Sequence, residues 1–211
     1  GHLALALRAS RESLVLLRND GRVLPLRKDL GTVLVVGPNA TSTSFANNRY
    51  GPYDPPTISV LGGIKKVVSP RTKVLYALGA DFVDPGWPET EVMPEPASRA
   101  EQILVDEARD AAKTADAIVV AVGESDLMVG ESRSRTSLDL PARQLDLVKA
   151  MVESGKPVVV VLVNGRALTI NWIAAHVPAA IEAMFPGEFG GQAIAEALFG
   201  DYNPGGKLSF T

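Results

Sequence analysis

Cysteine is absent from this chain of 211 residues, which at once excludes disulfides, thiolate nucleophiles and cysteine-ligated metals. Only two histidines occur, His2 and His176, far apart in the sequence. A histidine-based metal site therefore has no basis, and no cofactor is expected. No run of about 18 apolar residues is present, so no transmembrane helix is expected. Runs of like charge are also missing, and the formal net charge is only -3. Nucleic acid and anionic membrane partners thus find no support in the composition. The first residues lack the charged start and small-residue cleavage site of a signal peptide. They read as mid-protein sequence, and the last residues stop inside an apparent strand, so a domain cut from a longer chain is expected.

What is present is a globular composition, with 46% apolar and 21% charged residues, enough for a sizeable core. Residues 3–17 place Leu3, Leu7, Leu14 and Leu17 at a roughly helical spacing, and Asn19-Asp-Gly21 signals a turn. Buried strands are expected within 30–36 (centred on Thr32–Val36), at 73–77, 117–122, 158–163 and 179–185. An edge strand is expected at 207–210. Helices are expected at 58–68, at 99–114 behind a Ser98/Glu101 capping box, from Pro141 to about Glu153, and at 192–199. The segment 79–98, rich in proline and acidic residues, reads as irregular. Strands alternating with helices predict one α/β domain over 1–211, with 1–30 as linker and N-terminal helix. Its sheet should be doubly wound, mostly parallel and open, a flavodoxin-like three-layer αβα sandwich.

In such a sheet, ligands bind in the loops beyond the carboxyl ends of the strands. Two loops hold suitable chemistry. Residues 123–141 follow the expected strand at 117–122 and carry Glu124, Asp126, Glu131, Arg133, Arg135 and Asp139. The loop Asn47-Asn-Arg-Tyr-Gly-Pro-Tyr53 offers amide and guanidinium donors beside aromatic rings, a mixture suited to sugars. Gly187-Glu-Phe-Gly-Gly191 lacks the Gly-Lys-Ser/Thr end of a phosphate loop and reads as tight turns between strand and helix. Trp172 reads as core, Trp87 as a contact for a neighbouring domain, and His176 as a helix cap.

Five segments in one order carry a resemblance. They are Ser13-Leu-Val-Leu-Leu-Arg-Asn-Asp-Gly21 with Leu24-Pro-Leu26, then Val35-Val-Gly-Pro-Asn-Ala40, then Gly130-Glu-Ser-Arg-Ser-Arg-Thr-Ser-Leu-Asp-Leu-Pro141. Gly155-Lys-Pro-Val-Val-Val-Val-Leu-Val-Asn-Gly-Arg166 follows, and Phe185-Pro-Gly-Glu-Phe-Gly-Gly191 with Leu198-Phe-Gly-Asp-Tyr-Asn-Pro-Gly-Gly-Lys-Leu208 completes the set. Together they resemble the C-terminal α/β sandwich domain of glycoside hydrolase family 3, the β-glucosidase and β-xylosidase family. Phe189 departs from it, standing where the family usually has a polar residue.

The resemblance implies a retaining exo-acting β-glycosidase whose substrates are β-linked oligosaccharides or glycosides. It implies a (β/α)8 barrel, absent from this chain, as partner and source of the aspartate nucleophile, and it implies a periplasmic or secreted setting. Retaining glycosidases use two carboxyl groups, one as nucleophile and one as acid and then base. The match to the family's Glu-x-x-x-Arg-Thr pattern gives Glu131 the acid/base role. The competing reading of Glu131 is a solvated loop carboxylate paired with Arg133 or Arg135. Glu124 reads as a structural group bonded to loop amides, and Asp126 as a distant alternative acid. Arg133, with Arg49 and Tyr50 of the other loop, is the candidate substrate-binding set; Arg135 reads as a loop anchor. The alternative function is a stand-alone carbohydrate-binding or scaffold module. That reading would cover Leu3, Leu7 and Leu14, whereas a fragment would leave them partly exposed. A nucleotide-binding fold is disfavoured because Gly37-Pro-Asn is too short and stiff to cradle a pyrophosphate.

Overall fold

Consecutive residues of a strand face opposite sides, so a strand apolar at every position must be covered on both faces. The computed structural model, which describes residues 1–46 and 56–210, meets that demand with three layers. Its elements are α1 His2–Ser13, β1 Val15–Asn19, β2 Thr32–Val36, α2 Val60–Val67, β3 Lys73–Ala77, α3 Arg99–Ala112 and β4 Ala117–Gly123. They continue with α4 Gln144–Glu153, β5 Val158–Val163, α5 Asn171–His176, β6 Ala179–Glu182 and α6 Gly190–Leu198. The sheet runs β1-β6-β5-β4-β2-β3. Every pair is parallel except β1 with β6.

Every residue of β4 and β5 is buried. Val33, Val119, Val161 and Ile181 face one core with Leu14, Ile64 and Ile194, from the α1–β1 junction, α2 and α6. Leu34, Val120, Val160 and Ala180 face the other core with Ala108, Leu147 and Ile173, from α3, α4 and α5. Each fully buried aliphatic side chain contributes roughly 1.5–3 kcal/mol. The flavodoxin-like sandwich read from the sequence is therefore the fold found here.

Four local expectations are corrected. The helix expected through residue 17 ends at Ser13, and Val15–Asn19 adds an antiparallel edge strand on β6. Leucine spacing alone could not separate that strand from a helix. Pro141 does not open α4, because Ala142 takes a left-handed φ of 50° and the helix starts at Gln144. The strand expected at 179–185 ends at Glu182, and Met184 turns the chain with φ 52°. Residues 207–210 form no strand; instead the Gly206 amide donates to the Leu14 carbonyl at 2.9 Å. The Ser98/Glu101 capping box is present. At the start of the chain Leu3 is 65% exposed, Leu7 is half-buried and Leu14 is fully buried, so only the first two match the exposure expected of a fragment.

Candidate functional site

Leaving β1 aside, the parallel strands follow the order 2-1-3-4-5 of a flavodoxin-like sheet, whose connections reverse between β2 and β4, the place where such sheets bind ligands. The loops carrying the candidate residues leave those two neighbouring strands. Asn39, after β2, ties this edge together by donating to the backbone carbonyls of Glu124 (3.4 Å) and Val163 (3.3 Å). Gln144 fastens the end of β4. Its Oε1 accepts from the Gly123 amide at 2.6 Å, and its Nε2 donates to the Gly123 carbonyl at 2.9 Å.

Immediately after β4, Glu124 is completely buried. Burying a lone carboxylate would be prohibitive, and two hydrogen bonds and a second guanidinium charge offset it. Arg135 Nη1 lies 3.2 Å from Oε1, Arg166 Nε lies 3.0 Å from the same oxygen, and the Gly165 amide donates to Oε2 at 3.2 Å. The Arg135 side chain is 1% exposed and also pairs with Glu91 at 2.6 Å. Two arginines and two glutamates thus form a charge-balanced chain centred on buried Glu124 and the Arg135 side chain. Glu91 accepts further from the Thr136 amide and hydroxyl and from Trp87 Nε1. Burial opposes ionisation of Glu91, but these donors prevail and hold its carboxyl down to about 2. Arg135 is the loop anchor expected, and Glu124 is bonded to a guanidinium as well as to a loop amide. Glu91 and Arg166 were not singled out in the sequence; the signal for Arg166 was a charge directly after the buried β5.

Further along the loop, the Arg133 amide donates to the Gly130 carbonyl at 3.1 Å, and Ser132 adopts φ 62°. A positive φ at the third position of a closed turn is the mark of type II. Glu131 occupies the second, corner position of that turn and is exposed. Arg133 is exposed as well and forms no ion pair among the described residues. Asp126 is half-buried. Arg49 and Tyr50 lie outside the described residues.

Two further features border this region. A cleft of about 300 Å³ separates the 84–98 loop from residues 135–143, and it is lined by Trp87, Glu91, Glu95, Arg135 and Arg143 but not by Glu131. At the end of β6, burial pushes the Glu182 carboxyl up to about 7, although Met184 and Ala183 amides and Asn164 Nδ2 favour the ionised form. Trp172 proves half-buried, stacked on His176 at 4.3 Å, and His176 Nδ1 meets the Trp172 carbonyl within its own short helix. Trp87 turns its indole nitrogen inward to Glu91. No group of acidic or histidine side chains suited to a metal occurs among the described residues.

Comparison with known proteins adds an independent line. The model of the family described as glycosyl hydrolase family 3 C-terminal domain matches residues 14–211. A periplasmic β-glucosidase of Salmonella typhimurium is 42% identical over 98% of this chain, and a β-xylosidase of Formosa agariphila is 39% identical over all of it. The chain spans only 28% of the length of each. Among solved structures, a β-glucosidase from Erythrobacter marinus superposes with a TM-score of 0.84 at 37% identity, covering 98% of this chain and 29% of that one. A β-glucosidase from Listeria innocua in complex with isofagomine gives 0.81 at 32% identity, over 98% of this chain and 26% of that one.

Proposed function

Because this chain belongs to the glycoside hydrolase family 3 C-terminal domain family, we propose that it supplies the general acid/base of a retaining, exo-acting β-glycosidase of β-glucosidase or β-xylosidase type. In this reading the partner is a (β/α)8 barrel that binds the non-reducing sugar and carries the aspartate nucleophile. Glu131 is the acid/base. The observation that carries the assignment is the contrast within one loop. Glu124 is completely buried against Arg135 and Arg166, whereas Glu131 is solvent-exposed at the corner of a turn beside the switch point.

The chemistry follows from those positions. Protonated Glu131 gives its proton to the glycosidic oxygen as the barrel aspartate attacks the anomeric carbon and the aglycone leaves. The resulting Glu131 carboxylate then takes a proton from water, which displaces the aspartate and restores both carboxyl groups. Arg133, with Arg49 and Tyr50 from the loop after β2, contacts the sugar or the aglycone. Their guanidinium donors and aromatic ring suit hydroxyls and apolar sugar faces.

The test is Glu131→Gln in a polypeptide that joins this domain to its barrel. We expect kcat/KM on alkyl β-glycosides to fall by about 10²–10⁴, and far less on dinitrophenyl glycosides, whose leaving group needs no proton. The domain alone should not turn over aryl β-glycosides. Unchanged activity in the Gln variant, or turnover by the bare domain that disappears with it, would refute the assignment. The exposed Leu3 and half-buried Leu7 fit this reading, while the fully buried Leu14 fits a stand-alone binding module.

A further inference from the structure

Arg166 has no part in the chemistry above, yet its contacts converge on the loop that performs it. The guanidinium reaches from the loop after β5 across to the loop after β4. There Nη2 donates both to the Met128 carbonyl and to the Arg133 carbonyl, the latter at 3.1 Å. Those two carbonyls lie on either side of the Glu131 turn, one on each limb of the loop. A single nitrogen bonded to both sets the separation of the limbs. The other side of the guanidinium is ion-paired with Glu124, whose Oε1 lies 3.0 Å from Nε, and Glu124 is held by Arg135 and by the Gly165 amide. Gly165 itself belongs to the arrangement, because a Cβ there would collide with the Val129 side chain. The Gly165-Arg166 end of the β5 motif thus contacts the Glu131 loop at the carbonyls of its two limbs and at Val129.

We propose that Arg166, oriented by Glu124, is the positioning residue for Glu131: it clamps both limbs of the acid/base loop and so sets where the catalytic carboxyl stands. The inference rests on the acid/base role of Glu131, and the test separates the two. The variant is Arg166→Lys in the polypeptide that carries the barrel. An ammonium keeps the charge opposite Glu124 but lacks the planar fork needed to hold Glu124 and two carbonyls together. The measurement is kcat/KM over a series of β-glycosides with leaving groups from dinitrophenolate to simple alcohols, with Glu131→Gln run in parallel.

A misplacement of about 1 Å costs on the order of 100-fold. We therefore expect Arg166→Lys to lose about that much in kcat on alkyl glycosides, with KM little changed. On dinitrophenyl glycosides the loss should be small, a leaving-group profile parallel to that of Glu131→Gln. If Arg166→Lys fails to fold, the double variant Glu124→Gln/Arg166→Met removes both charges together and should give the same profile. A loss equal across all leaving groups, or no loss, overturns the positioning role while Glu131→Gln retains its own signature. If Glu131→Gln shows no leaving-group dependence, the acid/base reading itself falls and this inference falls with it.

Discussion

The Glu91 and Glu182 side chains are both largely removed from solvent, and their protonation differs because their donors differ. Glu91 receives a guanidinium, an amide, a hydroxyl and an indole N–H and is held down to about 2. Glu182 has only neutral donors, so burial prevails, the Glu124 charge adds to it, and the carboxyl rises to about 7. Its folded-state value lies above the ordinary 4.5, so its stabilising contribution is complete below about pH 4.5 and is lost as the pH rises to about 7. We expect the wild type to lose on the order of 3 kcal/mol relative to Glu182→Gln across that window. Urea unfolding of both proteins from pH 4.5 to 7 reads this directly, and parallel stability curves would contradict it. Glu91 acts in the opposite sense. Its contribution is present above about pH 4.5 and drains away as the pH falls through about 2.

At the scale of elements, α2 and α6 approach so closely that their contact is made by glycine. A Cβ on Gly63 would fall inside the radius of the Gly191 carbonyl oxygen, and one on Gly191 would meet the carbonyls of Ile58 and Ser59. Backbone cannot yield as a flexible side chain can. Gly63→Ala should therefore cost about 3 kcal/mol, the upper end of the overpacking range. A melting temperature within a degree of wild type would show that the helices part without penalty.

The Gly187–Gly191 segment, read from sequence as turns, has this packing role at its end. The elements misjudged in the sequence are those whose form depends on distant chain. Val15–Asn19 becomes a strand only because β6 offers an open edge. Residues 207–210 fail to become one because the tail is already bonded to Leu14. A local periodicity carries neither fact.

Across the whole molecule, the loops after β2, β4, β5 and β6 gather at one edge of the sheet, and the proposed barrel belongs over that edge. Joining domain and barrel should slow amide exchange in residues 127–133 relative to the domain alone, with β4 and β5 protected in both. Hydrogen exchange with mass spectrometry tests this. New protection confined to the opposite edge, around Gly155–Lys156, would place the barrel elsewhere.

Much of this architecture was legible in one dimension. The continuous apolar runs of β4 and β5 demanded two covering layers, the capping box placed α3, and the polar loop after β4 drew attention to Glu131. Those signals are local, since burial on both faces, helix entry and turn formation each depend on residues close in sequence. The tertiary structure decided which charges pair across the loops. Glu91, Glu124, Arg135 and Arg166 lie on three different loops, and only the strand order β5-β4-β2-β3 brings those loops together. Charge pairing across such distances depends on the meeting of loops far apart in the chain, so the sequence determined the loop that holds Glu131 while the fold determined what holds that loop in place.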